Sequence, residues 1–239
     1  MKKIWLILLC PLLLPLGTAM AQTQTMETDM NIEQAQTALS AKQYAFANIA
    51  ALTASGNTEA LKIALNNALD NGVSVNEIKD VMVQLYAYCG FPRSLNALAT
   101  LHETLEQRRQ QGKATPEGRL ATPLPADTDI LQLGTATQTK LVGAPVNIAL
   151  SADIDRYLKT HLFGDIFASD LLDWQEREIV TVAALASMPG VEPQLNAHFN
   201  ISRNTGISEA QLHAIVDVVG RHNRTLGDNA KRLLNQQTK

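Results

Sequence analysis

The chain has 239 residues, 46% of them hydrophobic and only 5% aromatic, with 20 basic side chains against 23 acidic ones. A mildly acidic balance with no basic cluster gives no electrostatic reason to bind nucleic acid. The apolar share suffices for a sizeable core, and abundant Ala and Leu with few aromatics favour helices packed on small side chains over a sheet.

The N-terminal stretch MKKIWLILLCPLLLPLGTAMAQ carries two lysines, an apolar run and Ala19-Met20-Ala21. That is the charged, apolar and small-residue order of a secretory signal, with cleavage expected after Ala21. Cys10 follows Leu8-Leu9 inside the apolar run, an unfavourable setting for lipid attachment. Pro11 and Pro15 break a run already short for a bilayer span, so a retained anchor is the weaker alternative. The expected mature protein is soluble, periplasmic or secreted, with no stable membrane insertion. Removal of residues 1–21 takes away Lys2, Lys3 and Cys10, leaving 18 basic against 23 acidic residues and Cys89 as the sole thiol. An intramolecular disulfide is then impossible.

Residues 30–112 form a first helical unit and 151–239 a second that repeats it. Ala50-Ala51-Leu52 aligns with Ala183-Ala184-Leu185; after a one-residue insertion, Leu61 aligns with Leu195, Gly72 with Gly206, Ser74 with Ser208 and Val81 with Ile215. Gly72 and Gly206 each follow a helical pattern, where a left-handed residue ends a helix. Ser74 with Glu77, Asp173 with Glu176 and Ser208 with Gln211 have the spacing of capping boxes. The apolar positions Ile78, Val81, Met82 and Leu85, and likewise Leu212, Ile215, Val216 and Val219, mark one helix face. Each unit therefore reads as helix, turn, helix, tight glycine turn, helix. Residues 113–150, rich in Thr, Pro and Gly without an apolar period, read as an irregular crossover. The fold class expected is all-α, with two tandem helical repeats.

The stretches ALDNGVSVNEIKDVMVQLYAYCGFPRSLNAL and DWQEREIVTVAALASMPGVEPQLNAHFNISRNTGISEAQL resemble the carboxymuconolactone decarboxylase family, relatives of the alkyl hydroperoxidase D-like proteins. The resemblance spans about residues 40–110 and 150–225. It implies rings of subunits with sites in clefts between helices, and for a duplicated chain a homo-oligomer, with a trimer favoured. The hydroperoxidase-like branch carries a Glu, a C-x-x-C pair and a His. Here the Glu and His fall on Glu178 and His198, but the cysteine positions fall on Val191 and Gln194. Without two neighbouring thiols, peroxide reduction through an internal disulfide cannot run.

What remains resembles the decarboxylase branch, and implies a cofactor-free lyase acting on a small carboxylated lactone or related acid. Loss of carbon dioxide builds an enolate that must be protonated, a task suited to an imidazole titrating near neutrality, with a carboxylate to orient it. His198 and Glu178 are the candidate catalytic pair; each also has a bland reading, as a core histidine and as a helix-start carboxylate. Arg203, on the same helix, is a candidate for the substrate carboxylate, and a solvated surface arginine otherwise. The first unit lacks the pair, because Ala64 stands where His198 does and Tyr44 or Ala45 where Glu178 does. Cys89 is either a small buried residue packing like Ala or a thiol lining the site from the first unit. His102 reads as a flank or interface residue, and His161, His213 and His222 are scattered. No His or Cys pair has metal-ligand spacing and no phosphate loop appears, so neither metal nor nucleotide is expected. Two further readings stay open: an exported, non-catalytic scaffold or ligand-binding protein, and a thiol-dependent peroxidase.

Overall fold

The computed structural model describes residues 38–237, which form nine α-helices and one π-helix and no strand. The expected signal segment 1–21 and the start of the first unit, residues 30–37, lie outside the described residues.

The first unit contains α1 (Ala41–Ser55), α2 (Thr58–Asp70) and α3 (Val75–Gln110); the second contains α6 (Trp174–Ala186), α7 (Glu192–Asn204), α8 (Glu209–His222) and α9 (Arg224–Gln237). The local starts and stops are those the sequence spells out. Capping boxes open α3, α6 and α8 at Ser74, Asp173 and Ser208, and a fourth, Ser40 with Gln43, opens α1. Lys42 reaches two of these boxes at once, lying 2.6 Å from Glu77 and 2.9 Å from Glu176. Burial alone would lower the Lys42 pKa, but hydrogen bonds to Glu77 and Glu176 outweigh it and hold it above its ordinary value. The starts of α3 and α6 are thereby tied together across the two units.

The units share one core. α1 packs along α6, with α8 against both and α3 against each as well. α1 buries Phe46, Ile49, Leu52 and five alanines, and α6 is buried continuously from Arg177 to Ala186. A helix apolar nearly all round belongs at the centre of a bundle, and alanines let two such helices approach closely.

α3 is two helical segments meeting at Gly90, whose φ of 80° lies where a side chain would be strained. Pro92, without an amide proton, sits in the first turn after this break, where none is needed. The chain turns enough for Ser94 Oγ to donate to the Met82 carbonyl at 2.7 Å, whereas a straight helix would hold residues twelve apart at about 18 Å. The second unit makes the corresponding break at Asn223, where α8 gives way to α9 and Gly227 packs against Gly220.

The expectation of an irregular crossover over 113–150 is corrected. Residues 130–142 form α4 (Ile130–Val142), capped by Asp129 at its start and by Gly143 at its end. α4 packs against the π-helix Leu158–Ile166, which follows the short helix α5 (Ala152–Tyr157). The threonines and Gly134 that make this segment read as a loop have a tertiary reason. A Cβ on Gly134 would fall 1.6 Å from the Lys159 carbonyl oxygen and 2.8 Å from the Gly164 nitrogen, so glycine permits the crossing. Gly134→Ala is expected to destabilise the protein by about 1–3 kcal/mol, because the obstacle is backbone that cannot rotate away; urea unfolding monitored by circular dichroism checks it.

Candidate active site

The site is built on α6. Arg177 and Glu178 are both completely buried there, an arrangement that needs partners for each charge. Arg177 finds its partners on α3 and at Ser169, in the turn before α6. One terminal nitrogen donates to Asp80 at 2.8 Å and to the Ser169 carbonyl at 2.7 Å; the other donates to Gln84 at 2.9 Å. The Gln84 amide returns to the Arg177 carbonyl at 2.8 Å and to the Thr181 hydroxyl at 2.9 Å. Burial lowers the Arg177 pKa, and the charge of Asp80 opposes that fall. This network fixes the axial position of α6 against α3, and so fixes where the next residue points.

That next residue, Glu178, meets His198 of α7: Oε2 lies 2.8 Å from Nδ1. The sequence separation of twenty is closed by the turn between α6 and α7. His198 retains 9% exposure, while Glu178 retains none. With Glu178 ionised, Nδ1 carries the proton, which leaves Nε2 to accept or donate at the site. The second carboxylate oxygen, Oε1, is buried with no hydrogen-bond partner among the described residues.

The third member comes from the first unit. The Tyr88 ring stands edge-on to the His198 imidazole, with centroids 5.7 Å apart, and its buried hydroxyl lies beside Thr181 without a well-formed hydrogen bond among the described residues. Burial first, and the negative charge of Glu178 second, raise the Tyr88 pKa above its ordinary value. The phenol is thus held as a proton donor. Glu178 Oε1 is a buried acceptor left without a partner among the described residues, and it belongs to the carboxylate that holds His198, against which the Tyr88 ring packs; a buried polar group in that state calls for an explanation, of which a ligand is one.

The other candidate residues lie elsewhere. The assignment of Arg203 to substrate binding is corrected: Nε and Nη2 both donate to the Glu209 carboxylate, and Nη1 donates to Asn200 and Gln237. Its fork is committed to the next helix start. Cys89, half-buried, packs on the main core and donates to the Leu85 carbonyl at 3.1 Å. Burial pushes its thiol up to about 11, against the pull of Arg93, so almost no nucleophilic thiolate exists at neutral pH. Of the two readings of Cys89, these contacts favour the small packed residue, and its neighbour Tyr88 is the first-unit residue whose ring reaches His198. Cys89→Ala is expected to cost less than about 1.5 kcal/mol and to leave peroxide consumption with added thiol at background, as thermal unfolding and a peroxide assay would register.

His161 forms a second His–carboxylate pair, with Asp165 at 2.9 Å, and meets the Tyr86 hydroxyl through its other nitrogen. Both residues of that pair are about half exposed, unlike the sealed His198 and Glu178. Among the described residues, no group of three or more His, Cys, Asp or Glu is placed to hold a metal ion.

The carboxymuconolactone decarboxylase family profile matches residues 19–103 and 152–221. No curated protein matches the chain. A solved structure of a chain provisionally assigned as a gamma-carboxymuconolactone decarboxylase subunit, from Burkholderia xenovorans LB400, is similar at 18% identity and a TM-score of 0.48. The similarity covers 94% of this chain and 91% of that one. With the profile matching both helical units over more than half of its length, the chain belongs to the carboxymuconolactone decarboxylase family.

Proposed function

We propose that the protein is a cofactor-independent lyase that decarboxylates a small carboxylated lactone or related acid, with His198 transferring the proton and Glu178 holding the imidazole. The observation that carries this reading is the 2.8 Å contact between Glu178 and His198, both buried, with Glu178 Oε1 unpartnered among the described residues and the Tyr88 ring edge-on to the imidazole.

The chemistry asks for such an arrangement. The C–C bond to the substrate carboxylate breaks, carbon dioxide leaves, and the electron pair moves into the conjugated carbonyl to form an enolate. The imidazolium form of His198 then gives its Nε2 proton to carbon and returns to neutral, and solvent restores the proton. Glu178 stabilises the imidazolium and fixes its orientation, as an ionised partner on the far nitrogen does. Tyr88, held protonated, is positioned near His198 to donate a hydrogen bond to developing oxyanion charge. The substrate's own carbonyl accepts the electrons, so the step calls for no cofactor.

The test is a panel of small lactone acids and β-keto acids assayed for carbon dioxide release. Turnover of at least one member well above the buffer rate is expected. If no member reacts faster than in buffer while the protein is folded, the lyase reading fails.

We also propose that the chain assembles as a homo-oligomer, with a trimer favoured. Supporting this, Val83, Phe91 and Leu95 of α3 are large apolar residues left exposed. Light scattering at micromolar concentration is expected to return a multiple of the monomer mass; a clean monomer ends this reading.

A further inference from the structure

The two units exchange residues. Tyr88, at the end of the first segment of α3, lies on His198 of the second unit; its counterpart in the repeat is His222, at the end of α8, whose Nε2 lies 2.5 Å from Asn48 Oδ1 in the first unit. Beside it, Arg221 donates to the Tyr44 hydroxyl at 2.7 Å and its guanidinium stacks over the Tyr44 ring. The place that corresponds to the His198 site is therefore still assembled in the first unit.

It is also hollow. A cavity of about 450 Å³ lies between α1 and α2, with Ala45, Ala64 and Ala68 buried beneath it and Tyr44, Asn48 and Asn67 around it. Ala64 stands where the second unit has His198, so the missing imidazole accounts for space at this position. Among the described residues, none of the side chains lining the cavity is charged. Tyr44 and Asn48 are pinned from behind by Arg221 and His222, which orients them without a ligand present. Partial burial, then the charge of Arg221, lower the His222 pKa, so the imidazole behind Asn48 is neutral at pH 7.

We propose that this first-unit cavity is a second small-molecule site, distinct from the His198 site, that takes an uncharged ring-sized ligand with an apolar face and an amide, hydroxyl or carbonyl edge. The alanine floor receives the apolar face, and the amides of Asn48 and Asn67 with the Tyr44 hydroxyl supply donors and acceptors for the edge. A carboxylate is disfavoured because its desolvation would go uncompensated by any lining cation. With Ala64 in place of the histidine, the cavity binds and has no proton to transfer.

Benzamide is a suitable probe, and benzoate its isosteric anion. Titration of the ¹⁵N-labelled protein with benzamide is expected to shift the Asn48 and Asn67 side-chain amides with a Kd of about 1–10 mM, the range for a fragment of this size. Benzoate is expected to bind at least about tenfold more weakly. Ala64→His, which restores the second unit's residue, and Ala64→Leu, which fills the space without polarity, should each weaken benzamide at least about tenfold. Two fillings of different chemistry, each with helix content checked, separate occlusion from misfolding. His198→Ala should leave the benzamide affinity within about twofold, which separates this cavity from the proposed lyase site. Benzamide shifts that vanish in His198→Ala and survive both Ala64 variants would overturn the proposal, as would benzoate binding equal to benzamide, or no benzamide binding at all.

Discussion

Replacing His198 with Ala is expected to lower turnover by about 10²–10⁴-fold per folded molecule. The reason lies in the geometry: Nε2 is the ring nitrogen left open, and Nδ1 is already committed to Glu178. Glu178→Gln should lose less, because a neutral amide fills the same volume and still accepts from Nδ1, although it no longer stabilises an imidazolium. Stability falls too in His198→Ala, by about 1–3 kcal/mol, because a completely buried carboxylate loses its partner. Activity must therefore be normalised to folded protein, with circular dichroism and light scattering on the same samples. A variant that melts early yet keeps full specific activity would leave His198 a core residue and remove the catalytic assignment.

Arg177→Ala is expected to be the most destabilising single change in the site, at about 3–5 kcal/mol. It strands Asp80, the Gln84 carbonyl and the Ser169 carbonyl together, each of which now receives a proton from the guanidinium. Double replacement, Arg177→Met with Asp80→Leu, should recover part of that loss, because no uncompensated charge remains. Recovery will be incomplete, since Gln84 and Ser169 still lack their donor. Chemical denaturation of the three variants measures both quantities. A single Arg177→Ala cost below about 1 kcal/mol would mean that the network contributes little, and that α6 is held in place by its apolar packing.

The parts of this architecture legible in the sequence are those set by neighbours in the chain. Ser74 with Glu77, Asp173 with Glu176 and Ser208 with Gln211 announce helix starts because both partners lie within four residues. Ser40 with Gln43 carries the same signal and could have been found by the same spacing. What escaped depends on distant partners. α4 is concealed because Gly134 looks like a helix breaker until the Lys159 carbonyl is seen against it. Tyr88 is hidden in the sequence because only the packing of α3 on α6, which also carries α7, brings its ring to His198. Arg203 reads as a substrate ligand from its helix position alone, because helical spacing does not reveal that Glu209, in the first turn of the following helix, comes back to meet it. Glu178 and His198 were legible through the family pattern, while the 2.8 Å that joins them is a product of the turn between α6 and α7.

The exchange of Tyr88 and His222 between units has a consequence for how this chain can be divided. Neither half holds all of its own polar cluster: a fragment ending before α4 would carry Tyr88 without His198, and the remainder would carry Glu178 and His198 without the phenol. The same holds in reverse for Tyr44 and Asn48, which lose Arg221 and His222. The covalent crossover thus keeps two mutually dependent halves at fixed stoichiometry. Because each cluster draws on both copies, a substitution at a lent residue, Tyr88 in the first unit or Arg221 or His222 in the second, is felt at the polar cluster of the other unit.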